Sequence, residues 1–310
     1  MSTYSALVVD GGHLIWRSAY AAVSSGGSAG ERFLETCLLW CRFNDASGLR
    51  VCWDAGREGR RAIMPTYKDG HGSDGAPEEV RAAVNEARRG LDMVLPLLGA
   101  ETYLAPGWEA DDLCATLAKR HASAGEKVLV ASGDKDLLQL VRKGVHLVRP
   151  ARKRGDKPVV VHAANWEETS GVPPLPTIRD AWLTVQSLWG DPGDGVPGIR
   201  GIGEVRAKQV VRAFPDALRR LGRPGAFSGL SPALRTLLES AEALSAAALS
   251  YELVRLRDDL RGEPTPGPGP DAAAAEELLY DYDWDGASAA GKLSALSCDP
   301  DSGRRRRSPR

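Results

Sequence analysis

The sequence predicts an α/β protein: a parallel, doubly wound sheet followed by a smaller helical region. Three observations predict it. Short β-rich apolar runs, Ala6 to Val9, Val51 to Trp53 and Val128 to Ala131, alternate with longer stretches of helical period, the pattern of a parallel sheet with crossover helices. Each run leads into an aspartate, Asp10, Asp54 or Asp134. From about Asp180 the strand signal fades and helical period takes over. The expected division is an α/β unit over residues 1–178, a helical unit over 179–297 and a basic tail over 298–310. At 310 residues and 43% hydrophobic content, the chain can bury a large core.

The elements follow in order. Asp10 and Arg17 interrupt the N-terminus where a signal peptide would be apolar, and no run reaches the roughly 18 apolar residues that span a bilayer. No membrane partner is expected. Five cysteines without a CxxC pair fit a reducing compartment, and a cytoplasmic location is expected; Cys37 and Cys41 read as helix core. Ser73 and Asp74 are cap candidates for a helix in which Pro77 suits the first turn and Glu78 and Glu79 its dipole. Val80, Val84, Ala87, Leu91, Val94 and Leu98 give that helix an apolar stripe, and Pro96 is expected to kink its end. A second helix begins near Glu109, presents Leu113, Cys114, Leu117 and Ala118 on one face and stops around Gly125. A third is expected after Asp134, carrying Leu137, Leu138 and Val141. Within the helical unit Trp182, Val185, Leu188 and Trp189 precede a glycine-rich turn, and Val210, Val211 and Phe214 follow it. Gly262 to Pro270 reads as a Pro/Gly loop, and Arg304 to Arg307 as part of a disordered tail.

In open parallel sheets ligands bind outside the carboxyl ends of the strands, so Asp10, Asp54 and Asp134 are expected to share one crevice. A single aspartate after a strand is most often a helix N-cap. Here four more acids open the adjoining helices: Glu109, Asp111 and Asp112, and then Asp136. Helix N-termini favour negative charge by only about 0.3–1 kcal/mol per group. Two unit charges about 4 Å apart repel by about 4 kcal/mol at an effective dielectric of about 20, so such a cluster protonates or splays unless cations sit among it. Oxygen ligands without His or Cys point to Mg²⁺ or Mn²⁺ rather than zinc. Asp191 and Asp194, in Gly-Asp-Pro-Gly-Asp-Gly, supply a second ion position, because the full calcium-loop pattern is absent. Two ions can serve an in-line displacement at a phosphodiester.

Formal net charge is −1, so the totals do not mark a polyanionic partner; the local distribution does. Arg57, Arg60, Arg61 and Lys68 flank Asp54. Arg142, Lys143, Arg149, Arg152, Lys153, Arg154 and Lys157 form a second block, and Arg200, Arg206, Lys208, Arg212, Arg219, Arg220 and Arg223 a third. Charge runs are usually solvated faces. Gly198, Gly201 and Gly203 ahead of a basic helix favour another reading, because glycines let backbone N–H groups approach a phosphate at a helix N-terminus. No strand precedes them, which disfavours a dinucleotide fold and fits non-specific gripping of DNA.

These motifs resemble the bacterial and bacteriophage 5'-to-3' exonucleases and flap endonucleases, a family that includes the N-terminal nuclease domain of DNA polymerase I. The likeness covers roughly residues 5 to 260 and weakly continues through Glu276 to Trp284. It rests on Glu-Ala-Asp-Asp at 109–112, Ser-Gly-Asp-Lys-Asp-Leu-Leu-Gln-Leu at 132–140 and Gly-Asp-x-x-Asp-Gly-Val-Pro-Gly at 190–198, in that order. The resemblance implies a PIN-like parallel twisted sheet with helices on both faces, a helical arch over about 68–99 and a helix-three-turn-helix over about 182–214. It implies one metal site from Asp10, Asp54, Glu109, Asp111 and Asp112 and a second from Asp134, Asp136, Asp191 and Asp194. It also implies a K⁺ ion at the glycine turn. By the same likeness Lys68 and Arg60 match basic residues that contact the scissile phosphate. Trp16, Arg17 and Tyr67 join Gly198, Gly201, Gly203, Arg206 and Lys208 as expected DNA contacts. Two positions depart from the pattern: His71 stands where members usually carry Arg, and Val205-Arg206 replaces the usual Lys-Thr.

The expected activity is two-metal hydrolysis of DNA at 5' flaps, nicks and recessed or branched duplex, leaving 5'-phosphate and 3'-hydroxyl ends, by a monomer that also meets RNA–DNA primers. Two other classes compete. A branched-DNA-binding protein with little catalysis would not need all nine acids. A small-molecule phosphatase built on the Asp134/Asp136 spacing would need neither the glycine turn nor the basic helix.

Overall fold

The strands β1 (Ala6–Asp10), β2 (Leu49–Cys52), β3 (Glu101–Tyr103), β4 (Val128–Ala131), β5 (Val145–Arg149) and β6 (Val159–Val161) form one sheet in the order β3-β2-β1-β4-β5-β6. This is a computed structural model, in which residues 3–69, 75–150 and 157–284 are described. All pairings are parallel except β5 with β6, and Val9 lies opposite both Val51 and Ala131. Strand order therefore reverses between β1 and β4. That switch point opens a crevice at the carboxyl ends of the two strands, where Asp10 ends β1 and Asp134 follows β4.

Helices α1 (Gly11–Ser25), α2 (Ala29–Asn44), α3 (Glu58–Arg61), α4 (Glu78–Leu97), α5 (Ala110–Ser123) and α6 (Trp166–Ser170) belong to the sheet unit. The helices α7 (Ile178–Trp189), α8 (Glu204–Ala213), α9 (Ala217–Arg220), α10 (Pro232–Leu238), α11 (Ala241–Val254) and α12 (Ala272–Asp281) follow. One apolar layer joins Leu7 and Val9 of the sheet to α1, α2 and α4, with Phe33 stacked on Trp53. The opposite face, through Ala6, Val8 and Val130, continues through Leu113 of α5 to Trp182 and Val185 of α7 and on to Phe227. The helical region thus packs onto the same core as the sheet. Its placement puts the loop after α7 beside the carboxyl ends of the strands. Among the described residues no helix is long and apolar enough to cross a membrane.

The structure corrects several local expectations. The turn after Asp134 is a five-residue 3-10 helix, Asp136–Leu140, because the chain must reverse into β5 and Arg142 already pairs with Val145. Strands β3, β5 and β6 were not among the expected runs: two are three residues long, and β5 carries His146 and Arg149. Pro77 caps α4 rather than entering its first turn, and α4 ends one residue beyond Pro96. Val80, Ala87, Leu91, Val94 and Leu95 of α4 are buried, so the segment expected as an arch over 68–99 packs on the core from Glu78 onward. Ser73, Asp74, His71, Arg152, Lys153, Arg154 and the basic tail lie outside the described residues.

Candidate metal centre

Asp10 is the N-cap of α1. Its Oδ1 accepts from the His13 backbone N–H at 2.9 Å and its Oδ2 from Ser132 Oγ at 2.8 Å. Burial, then the neighbouring charges of Asp54 and Asp134, push its carboxyl up to about 7 against the pull of those hydrogen bonds. Asp54, exposed at the end of β2, accepts from the Ala110 N–H at 2.8 Å and so ties β2 to the start of α5. Glu109 is the N-cap residue of that helix, but its side chain makes no capping bond. Its Oε1 takes Lys68 Nζ at 2.7 Å, while Oε2 takes Arg60 Nη1 at 2.8 Å and the Tyr67 hydroxyl at 3.2 Å. Burial works against its charge, but Lys68 and Arg60 outweigh it and hold the carboxyl below its usual range.

Two adjacent acids in the first turn of α5 take different roles. Asp111 keeps part of its surface, and burial followed by the charges of Asp112 and Glu109 raises its pKa although Arg60 opposes this. Asp112 is 0% exposed, takes Arg60 through Nη1 at 2.6 Å and Nη2 at 3.0 Å, and also accepts from the Arg257 N–H at 2.8 Å. Its oxygens are spent on that pairing. Arg60 is 5% exposed, and its Nε adds a bond to Leu253 O at 2.9 Å. Arg60, expected at the scissile phosphate, thus faces the acids from below, and Asp112, expected among the metal ligands, is its ion-pair partner. Tyr67, expected on the DNA, is 3% exposed, with its hydroxyl 3.2 Å from Glu109 and 3.4 Å from Asp194.

The second acid set faces the first across Lys68. Carboxylate oxygens of Asp136, Asp191 and Asp194 lie within 4.8 Å of one another. Asp134 sits beside them, accepting the Asp136 N–H at 2.9 Å. Lys135 Nζ reaches Asp191 at 2.5 Å, and Lys68 Nζ reaches Asp194 at 3.3 Å. Asp136 and Asp194 are both raised, first by burial, with Asp134 and Asp191 among the charges that add to it. The loop carrying Asp191 and Asp194 closes on itself at two glycines. A Cβ on Gly198 would stand 2.1 Å from Trp189 O, and one on Gly190 2.4 Å from Gly198 N, with φ +59° and +76°. Gly198, expected at the DNA, is buried and its N–H donates to Ser250 Oγ at 3.0 Å, so this glycine shapes the loop.

Gly201 and Gly203 are exposed, Gly203 capping α8, with Arg206 Nη1 on Gly201 O at 2.7 Å and Lys208 paired to Glu204 at 2.7 Å. Trp16 is partly buried against the α1 side of the core and Arg17 is exposed one residue on. The residues that sequence reasoning missed are Ser132, Lys135, Gln139 and Gln186, all bonded to the acids or to one another. The available signal was a glutamine inside each of two apolar runs, Leu137 to Val141 and Trp182 to Trp189.

The donor set suits hard divalent cations. All its ligand atoms are carboxylate oxygens, two lysine ammoniums already lie among them, and four of its carboxyls, those of Asp10, Asp111, Asp136 and Asp194, remain raised, first by burial and then by neighbouring acids. A pH dependence follows. Asp10 holds its proton up to about 7 when folded but only to about 3.9 when unfolded, so the folded state binds the extra proton in that window. The metal-free protein is expected to lose stability as pH rises from 5 to 8. Glu109, held low, changes stability only below this window, whereas His13 and His146, lowered by burial, act with the opposite sign inside it but are two groups against four. Thermal melts in EDTA should fall by several degrees across that range, and Mg²⁺ at pH 8 should restore them; a flat profile would count against an under-neutralised cluster.

The family model of the 5'-3' exonuclease N-terminal resolvase-like domain matches residues 5–171. Flap endonuclease Xni of Shewanella sp. (strain MR-4) is 30% identical over 259 residues, covering 82% of this chain and 90% of that protein. The thermostable DNA polymerase I of Thermus thermophilus is 30% identical over 260 residues, again 82% of this chain but 29% of the polymerase. The chain thus spans less than a third of such polymerases. Among solved structures, T5 5'-exonuclease with bound zinc ions has the same fold, with a TM-score of 0.64 at 19% identity, covering 92% of this chain and 98% of that one. Taken with the acid sets at the strand ends, the match over residues 5–171 and the likeness to Xni over 82% of this chain, the chain belongs to the 5'-3' exonuclease family of nucleases.

Proposed function

We propose that this chain is a structure-specific 5' nuclease that hydrolyses DNA phosphodiester bonds at flaps, nicks and recessed or branched ends, with two Mg²⁺ or Mn²⁺ ions. The observation that carries the reading is the meeting of two acid sets at one crevice, joined by a lysine that touches both. Asp10, Asp54, Glu109 and Asp111 would hold one ion and Asp134, Asp136, Asp191 and Asp194 the other. Such ions, when bound, polarise a phosphate and acidify an attacking water. The chain's own residues do the rest. Lys68 is freed toward the scissile phosphate once the acids are neutralised, and it stabilises charge that develops there. Arg60 keeps Glu109 and Asp112 in place. The Gly201–Gly203 turn and the N-terminus of α8, with Arg206 and Lys208, form the second half of a helix-three-turn-helix that grips duplex phosphates, and K⁺ is proposed at that turn. Trp16 and Arg17 stand for the 5' end. The protein acts as a monomer and takes RNA–DNA primers as well.

The test is a 5'-labelled flap duplex incubated with Mg²⁺, with and without EDTA. Mg²⁺-dependent release of the flap is expected. Binding without cleavage would replace this reading with that of a branched-DNA-binding protein, and turnover of a small phosphate ester with the DNA left intact would point to a phosphatase. Affinity should also depend steeply on salt. About four phosphate contacts give a slope of about −3.6 in log K against log salt, roughly a hundredfold loss between about 50 and 200 mM. An affinity that stays constant over that range would remove the α8 surface as the footprint.

A further inference from the structure

Two glutamines lie in the core beneath the second acid set. Gln186, on α7, is 0% exposed and Gln139, at the end of the 3-10 turn, is 1% exposed. Buried amides are costly unless every polar atom is paired, and these are. Gln186 Nε2 donates to Asp136 Oδ1 at 2.5 Å, and Gln186 Oε1 accepts Gln139 Nε2 at 2.8 Å. Gln139 Nε2 also donates to Val254 O at 2.8 Å, while its Oε1 accepts the Leu256 N–H at 3.2 Å.

The donors and acceptors in this chain of bonds run in one direction only. A backbone N–H cannot accept, so Leu256 dictates that Gln139 turns its oxygen toward it and its NH₂ toward Gln186. Gln186 must then offer its oxygen to Gln139, which leaves its NH₂ for Asp136. Flipping either amide would set donor against donor or acceptor against acceptor in the interior, at a cost of about 1–3 kcal/mol per unmade bond. Asp136 is thereby held in one rotation by a neutral donor that adds no competing charge. The same segment serves the first acid set, because Arg60 Nε bonds Leu253 O and the Arg257 N–H bonds Asp112 Oδ1.

We propose that Gln186 is the positioning residue for Asp136, and that the exit of α11, residues 253–257, sets the second metal position through the relay Leu256, Gln139, Gln186, Asp136. This rests on the metal-dependent reading above. Groups bonded to a metal ligand from behind typically change metal affinity by about 10–100-fold when removed. The test counts Mn²⁺ bound to the full chain by the loss of its free electron paramagnetic resonance signal. Wild type is expected to bind two ions. Gln186→Leu should weaken one of the two ions by about 10–100-fold and leave the other within about twofold. In an Asp136→Ala background Gln186→Leu should add less than about a twofold change, because its effect runs through that carboxylate. Should Gln186→Leu fail to fold, Gln139→Leu reads the same relay without touching Asp136. Two ions bound by the variant as tightly as by wild type, both weakened equally, or additive losses in the Asp136→Ala background would each overturn the positioning role. A wild type that binds no Mn²⁺ would instead overturn the metal reading on which it rests.

Discussion

Arg60→Ala is expected to lower the free energy of unfolding by about 3–5 kcal/mol, the usual cost of stranding one half of a buried ion pair. Two carboxylates are stranded here. Asp112 is fully buried and would keep only the Arg257 N–H, and Glu109 would keep Lys68 and Tyr67. Urea unfolding in EDTA reads the loss directly, and Mg²⁺ should recover only part of it, since an ion at the acids above does not reach the Asp112 oxygens spent on Arg60. Replacing both partners, Arg60→Met with Asp112→Leu, should restore most of the stability, because apolar groups of similar volume need no counter-charge. A variant Arg60→Ala as stable as wild type but weak on DNA would return this residue to the phosphate contact that the family resemblance implies.

The contrast between Arg60 and Lys68 marks where the sequence stops being informative. Asp10, Asp54 and Asp134 were legible because a parallel strand ending in aspartate has few other destinations, and strand alternation is a local signal. Asp191 and Asp194 were legible from their loop, whose glycines have identifiable steric work to do at Gly190 and Gly198. Arg60 and Lys68 lie eight residues apart in one basic block, and nothing local separates them. The full burial of one and the partial exposure of the other depend on how α3 lies against α5 and the exit of α11, a tertiary fact. The same holds for Asp111 and Asp112, which helical period places on different faces but does not assign to crevice or core. Strands β3 and β6 escaped because three residues carry too little period to read, and Gln186 escaped because a polar residue inside an apolar face has no partner until the fold supplies one.

Lys68→Ala is expected to cut kcat by about 10²–10³, the effect of removing one donor aimed at developing charge, while leaving the fold intact. The geometry explains why this lysine and not another. Its φ of +56° is a left-handed conformation that costs a non-glycine residue about 1–2 kcal/mol. The strain is held by the bond from its N–H to Asp194 O at 3.1 Å. That bond ties the lysine's backbone to the second acid set while its ammonium, 22% exposed, lies 2.7 Å from Glu109 and 3.3 Å from Asp194. Those neighbours hold its pKa above the usual lysine value although burial opposes the charge, so it stays cationic at any pH of interest. In the metal-free protein the ammonium is a competitor for the positions that ions would take, and each ion must displace it from a carboxylate. Removing it should therefore lower two quantities together: kcat, and, by a few-fold, the Mg²⁺ concentration for half-maximal activity. Lys68→Arg should rescue little, because a planar guanidinium cannot replace a compact ammonium between two carboxylates. Measuring flap cleavage across a Mg²⁺ titration separates the cases. A lysine that merely neutralises the acids would, when removed, leave kcat at saturating Mg²⁺ unchanged; one that serves the phosphate leaves a deficit that no concentration of Mg²⁺ repairs.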